Sequence, residues 1–301
     1  MHFPVWRRIR YTKDGGIPFF SKFCKELAGC PTNDKRTWLM KGIKIILFAG
    51  VFIMTAGAAV AFTVAHKQQA NAPLRFADGP GFAVVELFTS EGCSSCPPAD
   101  ELVARVQKED KDLPVYVLAY HVDYWNRLGW KDIFSNGAYS DRQRQYANWL
   151  RLESVYTPQI VVNGKKEFVG SSESVLRSSI EKNLHTPAAS TRISIGDLKV
   201  TGKQVEWAWQ TEGAEKGLSL GVALVQRNAV TNVKAGENGG RTLSHVQIVR
   251  AFRSDEWNGK NSGAGHLDLP AGLKTGDAEV IAFLQNDGNG EIVAATRSTF
   301  Q

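Results

Sequence analysis

Apolar and polar positions repeat in three different ways along this 301-residue chain. The first is an uncharged run of 21 residues, 45–65. A bilayer core takes about 20 consecutive apolar residues per helix, so this run predicts a transmembrane or signal helix. The second regime begins near residue 81. Short unbroken apolar runs, Ala83-Val84-Val85-Glu86-Leu87-Phe88 and Val115-Tyr116-Val117-Leu118-Ala119-Tyr120, read as strands buried on both faces. Helical stretches follow them. Pro97, Pro98 and Asp100 place proline and acid where a helix start tolerates them, and residues 171–184 read as a second helix. Residues 141–151 predict a third, with Tyr146, Trp149 and Leu150 on one face and arginines opposite. Asn163-Gly164 fits a tight hairpin turn.

The third regime starts after Thr186-Pro187-Ala188-Ala189, which reads as a linker. Beyond it, apolar residues alternate strictly: Ile193 and Ile195; Val205, Trp207 and Trp209; Leu218, Leu220, Val222 and Leu224. That period predicts an antiparallel β-sandwich, with Asp287-Gly288-Asn289-Gly290 joining the last two strands. The polar stretch 239–245, ending at His245, could with Arg250 form a ligand or partner surface, but reads more simply as a turn into an edge strand with the histidine in solvent.

Charge changes the picture at one end only. Residues 1–44 carry ten Lys or Arg against Asp14, Glu26 and Asp34, a net +7, whereas the whole chain carries +6. The remainder is therefore −1, and the basic balance gives no reason to expect nucleic acid as a partner. Positive charge before an apolar run sets the N-terminus inside and everything after it outside. Starting instead at Met40, the basic residues, apolar run and Ala70-Asn71-Ala72 have the layout of a cleaved signal peptide. No phosphate loop, Ser-His-Asp signature or internal repeat is evident.

The candidate chemistry lies at Cys93-Ser94-Ser95-Cys96, between the first strand and the first helix. A helix N-terminus offers free N–H groups and the positive end of the helix dipole, both of which stabilise a thiolate. Cys93, nearer the strand, is expected to be the attacking sulfur and partly exposed; Cys96 is expected to resolve. Pairing of this kind persists outside the cytoplasm.

Strand, Cys-x-x-Cys and helix, followed by Val155-Tyr156-Thr157-Pro158-Gln159-Ile160-Val161-Val162-Asn163-Gly164, resemble the thioredoxin superfamily. The resemblance implies a cis-proline at Pro158, preceded by Thr157, facing the cysteines. Glu86, in the strand before the motif, resembles that superfamily's buried acid, although one extra residue separates it from the cysteines; the resemblance implies that it takes a proton from Cys96, and a partly exposed strand-end carboxylate is the equal alternative. The strings ELFTSEGCSSCPPAD and HVDYW further resemble a bacterial family of exported thioredoxin-like proteins of unknown function. At the carboxyl end of the second strand, where α/β folds gather their sites, His121, Asp123 and Trp125 are candidates with Thr157 for a substrate groove, although aromatic residues there suit a packed insertion better.

The predicted organisation is a basic cytoplasmic extension (1–44), a transmembrane or signal segment (45–65) and a linker (66–80). An α/β thioredoxin-like domain (81–185) with a helical insertion (121–152) follows, then a mostly antiparallel β-sandwich domain (190–301). The expected function is thiol–disulfide oxidoreduction on exported protein thiols or a redox partner protein. The location is the bacterial inner membrane facing the periplasm, or the periplasm if the apolar segment is cleaved. No cofactor is assigned. Two alternatives stay open: a non-catalytic binding module with a structural disulfide, and a periplasmic copper-handling protein using Cys93, Cys96 and His121.

Overall fold

The computed structural model describes residues 81–187, 190–257 and 259–300. The expected extension, apolar segment and linker at 1–80 lie outside the described residues. Among the described residues no helix is long and apolar enough to cross a membrane. The described residues fall in one compact unit.

The first half of this unit contains β1 (Ala83–Thr89), α1 (Pro97–Glu109), β2 (Val115–His121), α2 (Gly137–Leu150), β3 (Gln159–Val162), β4 (Lys166–Val169) and α3 (Glu173–His185). The second half is β5 (Arg192–Thr201), β6 (Gln204–Glu212), β7 (Leu218–Asn232), β8 (Thr242–Glu256), β9 (Ser262–Asp268), β10 (Ala278–Asn286) and β11 (Ile292–Thr299). Proline opens α1, and Asn136 caps α2 by accepting from the Ala138 N–H. Asn163 and Gly164 take positive φ values of 47° and 69° in the β3–β4 turn, as a tight hairpin requires.

The expected division into a thioredoxin-like α/β domain and a separate β-sandwich is overturned. A single mixed sheet of eight strands, in the order β11-β10-β7-β8-β2-β1-β3-β4, runs through both halves, and β5-β6-β9 form a second sheet of three. Strand predominates over the three α-helices described. The seam is β2 against β8, parallel, with Ala119 opposite Ile248. The physical reason lies in residues between the alternating apolar ones. Leu218, Leu220, Val222 and Leu224 bury one face of β7, but Ala223 and Val225 bury the other. A two-faced apolar strand belongs in a sheet covered on both sides, and β8 pairs the edge of β2 that would otherwise stand open.

Three clusters of apolar side chains hold the unit together. On one face, Val85, Leu87, Val117, Ile160 and Val162 pack under α1 and α3. At the other end of the sheet, the β7 and β10 residues Leu220, Val222, Val280 and Leu284 pack with Ile193, Ile195, Val205, Trp207 and Trp209 of the small sheet. Across the opposite face, Val84, Phe88, Tyr120, Val161, Val225, Ile281 and Phe283 join with Tyr139 and Tyr146 of α2. This third cluster draws on both halves of the chain. Arg142, one turn from Tyr146, is buried with them rather than facing solvent as the periodicity predicts.

Candidate functional site

The connection from β1 to α1 is a tight turn built on its own backbone. Cys93 N donates to Ser90 O at 3.1 Å and Cys96 N to Cys93 O at 3.2 Å. Cys96 occupies the N-cap of α1, and its carbonyl accepts from Ala99 N and Asp100 N. Glycine suits position 92, because a Cβ there would come within 3.2 Å of the Trp125 Cβ. Cys93 and Cys96 are joined as a disulfide with Cα atoms 5.4 Å apart.

Both cysteines are buried, at 0% and 1% exposure, whereas Ser94 and Ser95 are exposed. The expected partial exposure of Cys93 is thus not what the fold provides. A loop from the second half of the chain is bonded to this turn. Residues 233–241 join β7 to β8, and Asn238 Nδ2 donates to both the Glu91 and the Cys93 carbonyls at 2.9 Å. Ser94 N donates to Glu237 Oε2 at 3.0 Å, and Gly236 lies against Trp130.

Behind this turn sits a buried group of acids and histidines. Glu91 is wholly buried; its Oε2 accepts from Trp130 Nε1 at 2.7 Å, while Oε1 lies 3.5 Å from His245 Nε2. On the other side of that ring, Nδ1 is 3.8 Å from Asp100 Oδ1, and Asp100 Oδ2 accepts from Thr89 Oγ1. His121 packs edge-on to His245 with ring centroids 4.9 Å apart. Its Nδ1 meets Asp132 Oδ2 at 2.7 Å, and that carboxylate also accepts from Glu91 N.

Burial pushes the His245 imidazole towards its neutral form, but the Asp100 and Glu91 carboxylates outweigh it and its pKa rises to about 9. Burial works against Asp132 ionising, yet the adjacent His121 and two backbone N–H groups hold its carboxyl below the usual range. Four buried polar atoms of this group, Glu91 Oε1, His121 Nε2 and both ring nitrogens of His245, make no hydrogen bond. Native interiors leave few such atoms, and their concentration at one place marks a functional candidate.

The residues expected to act with the cysteines are distributed differently. The Thr157–Pro158 peptide is cis, Pro158 is buried, and its Cβ and that of Ala99 of α1 flank Gly170. Trp125 Nε1 donates to Thr157 Oγ1 at 2.8 Å, so Trp125 links the turn at Gly92 to the cis-proline segment. Glu86 lies elsewhere. It projects with Val84 and Phe88 to the α2 face, where Oε1 accepts from Arg142 Nε at 2.7 Å and Oε2 from Tyr146 Oη. Arg142 and Tyr146 are themselves tied to Gln285 of β10. Alternation along β1 sends Val85 and Leu87, not Glu86, towards α1. Asp123 turns to α2, accepting from Ser140 Oγ, and His121 faces Asp132 in the interior rather than a groove.

Sequence reasoning gave Glu91 no role, read Asp100 only as a helix-start acid and placed His245 in solvent. Glu91 and Asp100 flank the cysteines at short range, and two acids so placed are a legible signal. His245 is not, because its strand reads as an edge when it is in fact an interior strand between β7 and β2. Among the described residues no group of three or more His, Cys, Asp or Glu is arranged to hold a metal ion.

The chain's residues 84–285 match a family described as "Protein of unknown function (DUF1223)". No curated protein matches. Among solved structures, a protein from Agrobacterium tumefaciens, AGR_C_4864, is similar at 30% identity with a TM-score of 0.56, covering 74% of this chain and 96% of that one. A domain of the outer membrane lipoprotein Omp28 from Porphyromonas gingivalis aligns at 12% identity and TM-score 0.25, over 38% of this chain and 97% of that one. OgpA from Akkermansia muciniphila aligns at 16% identity and TM-score 0.21, over 36% and 28% of the two chains. With two-thirds of its length inside the family's bounds, the chain belongs to the DUF1223 family.

Proposed function

We propose that the protein works outside the cytoplasm in thiol–disulfide exchange through Cys93 and Cys96, with thiol-bearing exported proteins or a redox partner protein as the other reactant. The observation that carries this reading is the buried acid–histidine group beside the disulfide. A disulfide that only staples a turn needs no cluster of buried ionisable groups beside it. The basic extension before residues 45–65 supports export.

The exchange balances as follows. A partner thiolate attacks Cys93 Sγ; the Cys93–Cys96 bond breaks, its electron pair stays on Cys96 Sγ, and a mixed disulfide forms at Cys93. The partner's second thiolate then attacks its own sulfur in that mixed disulfide, releasing Cys93. The partner loses two electrons and the cysteine pair gains them, together with the two thiol protons. Run backwards, the same steps reduce a partner disulfide, with Cys93 attacking and Cys96 resolving.

Burial of both sulfurs favours a second reading, a binding module whose disulfide is structural. The Cys96→Ser variant separates the two. Exchange predicts that Cys96→Ser accumulates mixed disulfides with exported proteins on non-reducing gels, because no thiol resolves them, and that Cys93→Ser traps far fewer. A structural disulfide predicts that both variants lose stability alike, trap nothing, and that the wild-type potential lies below about −300 mV.

A further inference from the structure

We propose that Asn238, in the loop joining β7 to β8, is a positioning residue for the cysteine pair: by holding the main chain of the cysteine turn in its closed form, it favours the disulfide over the dithiol. The inference rests on the exchange reading above and concerns where the equilibrium of that same pair lies.

Asn238 is wholly buried although it belongs to a loop. Its Oδ1 accepts from Arg241 Nη1 at 2.9 Å, and because a guanidinium only donates, this contact fixes which way the amide faces. Nδ2 is thereby turned to the Glu91 and Cys93 carbonyls, 2.9 Å from each. The loop keeps its own shape through Gly239 N to Gly236 O, Gly240 N to Val233 O and Arg241 N to Asn238 O. A side chain 145 positions from Cys93 in the chain is thus held ready against it.

The Cys93 carbonyl is the group on which the turn closes. It accepts from Cys96 N at 3.2 Å, the bond that brings residue 96 back to residue 93, and the Asn238 bond occupies its second lone pair. The same amide holds the Glu91 carbonyl two residues earlier, and Ser94 N, inside the turn, donates to Glu237 Oε2 at 3.0 Å. Three main-chain groups on either side of Cys93 are therefore fixed from one loop. Bonds made to the closed turn stabilise the closed form, and a dithiol whose turn spreads apart forgoes them. Holding two reacting groups in their bonding geometry raises their effective concentration, which for a pair of thiols means a lower reduction potential.

The purified full-length protein is equilibrated at neutral pH with mixtures of reduced and oxidised dithiothreitol. Two electrons and two protons pass from the reagent to the cysteine pair as the reagent closes to its cyclic disulfide, and alkylation of the free thiols reads the reduced fraction. Asn238→Ala is expected to shift this equilibrium about tenfold towards the dithiol, a rise of about 30 mV in potential. Glu237→Ala removes an exposed side chain, so it leaves the fold intact, and should shift the equilibrium about threefold in the same direction. A residue that only braces the fold destabilises oxidised and reduced protein alike and leaves the potential where it was. Unmoved potentials in both variants overturn the proposal.

Wild-type protein supplies a second measurement, because the coupling is reciprocal. The amides of Gly239, Gly240 and Arg241 should exchange with solvent deuterium about tenfold faster in the reduced protein than in the oxidised one. Equal protection in the two redox states overturns the proposal as well. Trapping by Cys96→Ser reports on exchange separately. Trapping with an unmoved potential removes Asn238 and keeps exchange, whereas a moved potential without trapping keeps Asn238 as the positioning residue and removes exchange.

Discussion

Glu86 and His245 show how much a single residue's meaning depends on its partners. Both are buried ionisable groups on strands, but Glu86 is paired with Arg142 and Tyr146 while His245 has only charge contacts. Arg142→Leu would leave the Glu86 carboxylate buried without its counter-charge, with only the Tyr146 hydroxyl as partner, which costs about 3–5 kcal/mol, and a chemical denaturation curve should show that loss. Glu86→Gln should cost less and leave the rate of disulfide reduction unchanged, because the side chain lies on the face away from α1. A slowed reduction would restore it to the chemistry. The His245 prediction is a pH dependence. Its folded pKa of about 9 lies above the unfolded value of 6.5, so its contribution is complete below 6.5 and is lost as pH rises through 9. Disulfide-intact protein should therefore lose on the order of 2–3 kcal/mol between pH 6.5 and 9.5, and His245→Gln should flatten that fall. In the sequence, the cysteines and Pro158 were legible because their chemistry is local. His245 was not: what defines it is two carboxylates about 145 and 154 positions away in the chain, brought close only by the pairing of β8.

At the scale of elements, local pattern was a good guide and pairing was not. Apolar runs, proline at a helix start and Asn-Gly at a turn place β1, α1, β2, the β3–β4 hairpin and α3 close to where they stand, since each signal acts within a few residues. No such signal says that β8 joins β2, or that the β7–β8 loop reaches the cysteine turn. That loop is bonded to the backbone of the cysteine turn through Asn238 and Glu237. Asn238→Ala leaves the Glu91 and Cys93 carbonyls without that donor and loosens the loop's hold on the turn, so reduction by dithiothreitol is expected to quicken several-fold with little change in the far end of the molecule. An unchanged rate would show that the loop opens without breaking these bonds.

Both halves of the described residues share one eight-stranded sheet, and this changes what each half can do alone. Residues 81–187 without β7, β8 and β10 would expose the edge of β2 and the aromatic face of β1 and β2, and would leave Arg142 without Gln285. The two-domain expectation predicts that each half folds and melts independently. The continuous sheet predicts otherwise, because the cluster around Phe88, Tyr120, Tyr146, Val225 and Phe283 cannot be kept by either half. Native-state hydrogen exchange distinguishes these outcomes. Amides of β1 and β2 and those of β7 and β10 should reach the same opening free energy and respond equally to denaturant, since they are protected only by global unfolding. A protection plateau in β7 and β10 that persists after β1 and β2 have exchanged would show that the seam at Ala119 and Ile248 opens first. In that case the second half would be a stable unit of its own, and the disulfide would sit in a part of the protein able to unfold without it.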